Sequence, residues 1–538
     1  KWGKIDRHAV VFVTGLGDIA FLKQLVIKIV PSIQLVIYEP SLNVFFKVIE
    51  NIDLSFLFEG RIPALIVDGL NGEEKKAILE KLVTLANIEF IKHYENRSCA
   101  ALFSAQVIDF MKLLGKTVED VIVGRNTGIR YSAVEMDNLF HNIKYLCEGS
   151  ITTQLCDIIP TDIPAIIVSA GPSLNKNIME LKGAKNKAFI VAVDTAVRPL
   201  VNAGIIPDMY VIVDGLKPKE LLDFDEAKRI PLMPSITSTK EILENHTGKK
   251  IFWFEGQRFI WSMMMMNGVP FSTVACGGSV ACSAFSLVYK LGFSRIILVG
   301  QDLALTGNKT HADGTFKSIM DEIDTSRCIK VPGNYEEEVP TRGDFKLYLD
   351  WFNYYIKGCE GIHVINATEG GAKIDNTEIM TLHDAIMREC IKEVDIDACF
   401  EKLKPIFNAE QQHKALEYLK TFPEMYRKLK KKVIKLNKEY QKLKTICGKS
   451  IIDKNAYLKA LKNIKNLTQE IENHELYDTI SCTLTVANYI IESEQFYEED
   501  TVAAEGLQIA KQGIAYTKMV EQCIDLFMPL TEETLLTL

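Results

Sequence analysis

The run Arg295 to Asp302 (RIILVGQD) constrains the fold more than any other stretch of the chain. Four of its first six residues are large and apolar, three of them β-branched, too many for a half-solvated strand, so the run predicts a strand buried on both faces, as in a parallel sheet. The preceding residues fit that frame. Val280 to Leu291 carries apolar residues at helical spacing and stops at Gly292, a helix-ending residue. Before it, Cys276-Gly277-Gly278-Ser279 supplies two residues able to take positive φ and a serine able to cap the helix N-terminus. Glycine turn, helix, strand and polar loop in that order describe one crossover of an open α/β sheet. Ligands of such sheets bind at the carboxyl ends of the strands, where Gln301 and Asp302 fall. An ordinary crossover would read the same way, so the weight lies on how often the pattern recurs.

It recurs through residues 162–394. Ala165 to Ser169 (AIIVS) is a buried strand that turns at Ala170-Gly171-Pro172-Ser173 into a short helix. Pro172 pre-sets the first helical φ, and Gly171 lets an anion approach the helix N-terminus. Ala188 to Val193 is a strand ending in Asp194-Thr195, and Met209 to Val213 one ending in Asp214-Gly215. Acids at single strand ends are usually turn residues, but Asp194, Asp214 and Asp302 recur along one sheet edge, which points to a site. Strands at Leu232 to Ile236 and Ile251 to Phe254 follow, the second running into Glu255-Gly256. Met263 to Met266 reads as flexible apolar packing or a lid. Pro332 to Pro340 is expected to be a loop, Phe345 to Ile356 an amphipathic helix and Ile362 to Asn366 a last strand, after which Thr368 and Glu369 enter a glycine-rich turn.

Ahead of this lies a Rossmann-like N-terminal domain, residues 1–123. Ala9 to Thr14 is a strand, Gly15-Leu16-Gly17-Asp18 a tight turn, Ile19 to Val30 a helix, and Ile33 to Tyr38 a second strand ending at Glu39. In nucleotide-binding versions the acid after strand two holds a ribose hydroxyl. Here the third glycine of the fingerprint is missing, so a scaffold role is the stronger expectation. A helical connector, residues 124–161, is expected from the apolar spacing of Val134, Met136, Leu139, Phe140, Ile143 and Leu146. After about Asp395 the chain becomes helical. Tyr426, Leu429, Val433, Leu436, Tyr440 and Leu443 alternate steps of three and four, and Tyr457, Leu461, Ile464 and Ile471 repeat the stripe beyond Gly448-Lys449-Ser450. This predicts an antiparallel hairpin which, with helices near Tyr477 to Phe496 and Thr501 to Phe527, closes an all-α bundle over residues 395–538.

With 538 residues and 47% apolar content, roughly three or four domains of ~150 residues are expected. The net charge of −8 gives no overall nucleic-acid footprint, and no apolar run reaches the ~18–20 residues of a membrane helix. The opening residues enter a strand instead of a signal sequence. Twelve cysteines without CxxC pairs suit reduced, buried thiols in the cytoplasm and give no structural zinc site.

Three segments, SAGPSL at Ser169 to Leu174, VDTAVRPLVNAGIIPDMYVIVDG at Val193 to Gly215, and CGGSVACSAFSLVYKLGFSRIILVGQDLALTGNKTHADG at Cys276 to Gly314, resemble the motility-associated factor (Maf) family of flagellin glycosyltransferases. The central domain of that family is similar to bacterial sialyltransferases that use CMP-sialic acid. GLGD at the first turn and YEPS at Tyr38 to Ser41 resemble the family's N-terminal domain. The implied fold class is α/β, with a Rossmann-like first domain, a sialyltransferase-like centre and an all-α C-terminal bundle. The implied reaction moves a nonulosonic acid, pseudaminic or legionaminic, from CMP to Ser/Thr of flagellin in the cytoplasm. Flagellin and the CMP-sugar are the implied partners, with a homo-oligomer left open and a nucleic acid not expected.

By position, the resemblance assigns Gly171, Pro172 and Ser173 to the CMP phosphate, Asp194 and Thr195 to ribose or base, and Gly277, Gly278 and Ser279 to the cytidine pocket. Asp214, Thr306, Lys309, Thr368 and Glu369 join the substrate-binding set. Asp302, His311 and Arg342 are the catalytic candidates: departure of CMP needs charge stabilisation and the acceptor hydroxyl needs a base. Where the sialyltransferases carry asparagine before GPSL this chain has Ala170, and Thr341-Arg342-Gly343-Asp344 stands where they carry a glycine-histidine pair. No resident cofactor is implied. The SAGPSL and D-x-x-V-D-G patterns also resemble an archaeal pterin pyrophosphokinase family, for which Asp194, Asp214 and Asp302 would bind Mg²⁺. A non-catalytic flagellin-binding protein is the third reading.

Overall fold

The computed structural model describes residues 5–6, 8–30, 33–59, 63–71, 74–254, 256–316, 325–326, 328–481, 483–484 and 501–537. They form two compact units. One comprises residues 1–132 and 424–528, the other residues 133–423 and 529–538. This division departs from the expected domains in two ways. The first expected boundary, 123/124, falls inside a single helix, Ser104–Glu148. The connector was expected to be a helix of its own, but Gly115 and Gly124 are tolerated within one long helix. A helical glycine costs about 1 kcal/mol against alanine, too little to break a helix that long apolar stripes support. The residues expected to form one C-terminal domain are shared out: 395–423 and 529–538 belong to the second unit and 424–528 to the first.

The first unit opens with a parallel sheet in the order β3-β2-β1-β4, made of β1 (Val10–Thr14), β2 (Gln34–Glu39), β3 (Ala64–Val67) and β4 (Lys92–Glu95). Alternation divides its core. Val11, Val13, Leu35 and Ile37 pack with Leu22 and Leu25 of the helix Ile19–Lys28, while Val10, Phe12, Val36 and Tyr38 pack with Leu79, Val107 and Phe110. The first turn is filled by protein. Gly15 has φ +90°, and a Cβ there would lie 2.8 Å from Cys99 Cβ. The Glu39 carboxylate accepts the N–H of Leu16 (2.9 Å) and of Ser41 (3.0 Å). The acid that a nucleotide-binding version would turn to ribose here ties the turn to the second strand. In the same unit, helices Phe422–Cys447 and Lys454–Glu472 form the expected hairpin, with Leu429, Val433, Leu436, Leu443, Ile464 and Ile471 buried. Of the helix expected at Tyr477 to Phe496, residues 477–481 and 483–484 are helical and the remainder lies outside the described residues.

The second unit is built on strands β5 (Ser150–Ile151), β6 (Ala165–Val168), β7 (Phe189–Val193), β8 (Met209–Ile212), β9 (Leu232–Pro234), β10 (Ile251–Phe252), β11 (Arg295–Val299), β12 (Ile329–Pro332), β13 (Glu338–Thr341), β14 (His363–Asn366) and β15 (Glu378–Ile379). Seven of these form a parallel sheet in the order β15-β14-β11-β6-β7-β8-β9. The residues of β6 and β7 and those from Ile296 to Val299 are fully buried or nearly so, as an all-parallel sheet covered on both faces requires. From β6 the chain adds strands in one direction to β9, then returns to place β11 on the other side of β6. The carboxyl ends of β6 and β11 therefore flank a topological switch point, the crevice where open α/β sheets bind ligands.

Two expectations are refined locally. Residues Pro332 to Pro340 form the tip of a hairpin and are a loop in the middle alone: β12 and β13 pair antiparallel, Val331 opposite Val339. The helix after Pro172 is four residues long, Leu174–Asn177, and passes into a 3₁₀ turn. Met263 and Met264 are fully buried in the helix Arg258–Met266, which bears out packing for part of the methionine run; Met265 is exposed. Among the described residues no helix is long and apolar enough to cross a membrane.

Candidate functional site

The switch point is organised by Asp302, which follows β11 and is 3% exposed. One of its carboxylate oxygens accepts the Ser173 hydroxyl at 2.5 Å, and the Ser173 N–H reaches the other at 3.2 Å. Gly171 N–H donates to Gly300 O (2.8 Å), and a Cβ on Gly171 would sit 2.1 Å from Asp302 Oδ1. Glycine is needed at 171 because the carboxylate of Asp302 occupies the space above it. Of the N–H groups at this turn, that of Gly171 is engaged by the Gly300 carbonyl and that of Ser173 by the Asp302 carboxylate, and the four-residue helix behind them has little dipole to offer. Burial pushes the Asp302 carboxyl up from the ordinary carboxylate range; the Ser173 and Thr306 hydroxyls, the Ser173 N–H and Lys176 pull the other way. With these contacts Asp302 positions the turn.

The turn after β14 closes over the same residues. Thr368 is buried, and its hydroxyl accepts Gln301 N–H (3.3 Å). Ala372 N–H donates to Asp302 O (2.7 Å), and a Cβ on Gly371 would lie 2.3 Å from that oxygen. Glu369 has φ +55°; its carboxylate accepts Asn177 Nδ2 (3.0 Å) and Leu382 N–H (2.9 Å). Lys176 Nζ donates to Glu369 O (2.8 Å). Gly171, Ser173, Asp302, Thr306, Thr368 and Glu369 are thus brought together, with Thr306 and Ser173 both against Gly370. Left-handed backbone is concentrated here, with Gly300, Leu303, Gly307, Asn308, Glu369 and Gly371 all at positive φ. For leucine such a conformation costs on the order of 1–3 kcal/mol and persists where surrounding contacts enforce it, a pattern typical of functional sites.

Farther along the edge, Asp194 is buried at the end of β7. Thr195 N–H donates to its Oδ1 (2.7 Å), and Lys217 Nζ lies 3.0 Å from its Oδ2. Lys217 escaped the sequence reading because nothing in GLKPK marks one lysine as 15% exposed and paired with a buried acid. Asp214 accepts Leu216 N–H (2.8 Å), a turn role. The ends of β8 and β9 are held from the helix Ser104–Glu148. Asn138 Nδ2 donates to Gly215 O (2.9 Å) and Thr237 O (3.0 Å), and Asn142 Nδ2 to Ile236 O (2.9 Å) and Ser238 O (2.7 Å). Two asparagines four apart, inside an otherwise apolar stripe, were the available signal.

Ser279 caps the helix Val280–Lys290 as expected, its hydroxyl accepting Ala281 N–H (3.3 Å). Gly277 and Gly278 have a packing role that the sequence did not disclose. A Cβ on Gly277 would fall 2.5 Å from the Trp351 indole, and one on Gly278, at φ +80°, 3.1 Å from the Tyr348 ring. Trp351 is stacked in turn on Tyr355 at 4.5 Å. Gly277→Ala is expected to destabilise by about 1–3 kcal/mol through this overpacking. Its check is a lowered melting temperature accompanied by a changed near-ultraviolet tryptophan signal.

The catalytic candidates outside the switch point are placed unequally. His311 is half-buried, its Nδ1 2.9 Å from Thr310 Oγ1, in a loop tied to the first turn by Ala312 N–H to Ala170 O (2.8 Å) and Asp313 N–H to Asn175 Oδ1 (3.0 Å). Lys309 is a surface residue paired with Asp313 (3.0 Å). Arg342 is engaged by its neighbour: Nε donates to Asp344 Oδ1 (3.0 Å), and the guanidinium lies over Phe345 at 4.5 Å. Asp194, Asp214 and Asp302 do not converge; among the described residues no three His, Cys, Asp or Glu side chains are arranged to hold a metal ion. A small pocket lies elsewhere, lined by Tyr210, Lys219, Asp223 and His246.

Residues 137–308 match the family model described as 6-hydroxymethylpterin diphosphokinase MptE-like. An uncharacterized protein of Treponema pallidum (strain Nichols) is 24% identical over 144 residues, 27% of this chain and 67% of that protein. The solved structure of MAf glycosyltransferase from Magnetospirillum magneticum AMB-1 matches with a TM-score of 0.60 at 16% identity, over 98% of this chain and 79% of that one. The chain therefore shares, along nearly its whole length, the fold of a solved Maf glycosyltransferase.

Proposed function

We propose that the protein is a glycosyltransferase that moves a nonulosonic acid, of pseudaminic or legionaminic type, from CMP to Ser/Thr hydroxyls of flagellin in the cytoplasm. The observation that supports this reading best is the fold likeness over 98% of the chain. The switch-point edge between β6 and β11 is the place for the donor. In the reaction, the acceptor oxygen bonds to the anomeric carbon as the bond from that carbon to the CMP phosphate oxygen breaks. The electron pair leaves with CMP and the hydroxyl proton passes to a base. His311 takes that proton from the loop folded over Ala170. The Lys217 ammonium offsets the growing phosphate charge, Asp194 and Thr195 face the ribose, and Arg342, steadied by Asp344, faces the donor carboxylate. Asp302 holds Gly171 to Ser173 and the Thr368–Glu369 turn in register, so it acts through them.

A second reading, Mg²⁺-dependent diphosphate transfer from ATP to a pterin alcohol, is favoured by the family model over residues 137–308. The two are separated by melting temperature in the presence of CMP or ATP, each with and without Mg²⁺. CMP at 100 times its Kd is expected to stabilise by about 2.7 kcal/mol, with no gain from ATP and Mg²⁺. The reverse pattern would replace the glycosyltransferase reading by diphosphate transfer.

A further inference from the structure

The helical hairpin of the first unit carries a charge pattern that its packing does not require. Residues 427–465 hold thirteen lysines and one arginine against two acids, Glu439 and Asp453, in a chain of net charge −8. On the helix Phe422–Cys447 the buried stripe is Tyr426, Leu429, Val433, Leu436 and Leu443. The flanks of that stripe carry ion pairs within the bundle: Lys430 with Asp525 (2.7 Å) on one side and Lys432 with Glu470 (3.0 Å) on the other. The positions farthest from the core are Lys428, Lys431, Lys435, Lys438 and Lys442, all exposed. They follow steps of three and four, so they form one straight row about 21 Å long. Lys442 pairs with Glu439 (2.5 Å), which Lys435 also faces. For Lys428, Lys431 and Lys438 no ion pair is seen among the described residues.

We infer that this row is a docking surface for an anionic lipid membrane. Its composition separates that partner from the alternatives. Protein interfaces favour arginine and aromatics and are depleted in lysine. Single-stranded nucleic acid is gripped by stacking aromatics as well as cations, yet Tyr440 and Tyr457 both lie on the packing stripes. Lysine is a hydrated point charge on a flexible stem with no bidentate fork, suited to a field of mobile headgroups. Exposed apolar residues accompany the lysines: Ile434 beside the row (37% exposed), Ile451 at the hairpin turn (84%) and Leu458 on the second helix (53%). Short apolar contacts beside a polybasic face are what a headgroup layer accommodates.

The test is co-sedimentation of the full chain with phosphatidylcholine vesicles with and without phosphatidylglycerol, at low salt and at about 0.5 M NaCl, where the Debye length falls to a few ångströms. Binding is expected to the phosphatidylglycerol vesicles alone and to be lost at high salt. Each lysine is expected to contribute roughly fivefold to partitioning, so Lys428→Gln, Lys431→Gln, Lys435→Gln and Lys438→Gln together should weaken it by at least a hundredfold. Circular dichroism should show unchanged helicity for that variant. If it fails to fold, the four charge-preserving Lys→Arg changes, which should keep binding, and the salt titration carry the test. Equal binding to both vesicle types, binding unaffected by the four glutamines, or binding to an oligonucleotide but not to vesicles would overturn the inference.

Discussion

Asp302→Ala is expected to destabilise the second unit by on the order of 3 kcal/mol, because it strips the acceptor from the buried Ser173 hydroxyl and N–H and leaves a void above Gly171. Asp302→Asn is expected to behave quite differently. Its carbonyl oxygen can still accept the Ser173 hydroxyl that lies 2.5 Å from Oδ1, and it carries no charge to desolvate. The sign of the pH dependence follows from burial. The folded carboxyl titrates above its ordinary value of 3.8, so its contribution is fully present below the unfolded value and is lost as pH rises through the raised one. Relative to the asparagine variant, the native chain should weaken progressively as pH climbs from the carboxylate range towards neutrality. Urea midpoints of the two proteins across that range are the measurement. The comparison cancels Asp208, which burial also pushes up. Equal pH slopes would show that Asp302 is ionised in the fold at no cost, and an Asn variant as damaged as Ala would show that the charge itself holds the turn.

The second large effect concerns the pair at the end of β7. Lys217→Met should cost about 3–5 kcal/mol, since it leaves the Asp194 carboxylate, 2% exposed, without its cation. The double variant Asp194→Asn with Lys217→Met should recover much of that loss, because no uncompensated buried charge remains, and a double-mutant cycle measures the coupling. Under the proposed reaction the double variant should be folded and yet give no CMP-induced rise in melting temperature. A stable double variant that still responds to CMP would make the pair purely structural and remove Lys217 from the donor site.

Residues that look alike in one dimension part company in these two cases. Asp194, Asp214 and Asp302 all follow buried strands, and the sequence treats them as one edge. In the fold, Asp194 pairs with a lysine, Asp214 closes its own turn, and Asp302 is enclosed by two glycine-containing turns from distant parts of the chain. The glycines differ in the same way. Gly277 reads as an approach for ligand, but its missing Cβ makes room for Trp351, 74 residues away.

What the sequence determined by itself was whatever is repeated along the chain. Strands β6, β7 and β11 declare themselves because burial on both faces leaves unbroken apolar runs. The hairpin of Phe422–Cys447 and Lys454–Glu472 declares itself because a helical stripe recurs every three or four residues, and Ser279 because capping is a contact between near neighbours. The tertiary structure alone decided the rest. It paired β12 with β13 where polar and proline residues mask a strand, and ran one helix from Ser104 to Glu148 across two glycines. It returned residues 424–528 to the first unit. It also turned Asp302 inward and set Lys217 beside Asp194. The physical reason is common to all of these: local preferences of about 1 kcal/mol or less per residue yield to contacts between distant segments, where burial and charge pairing are worth several times more.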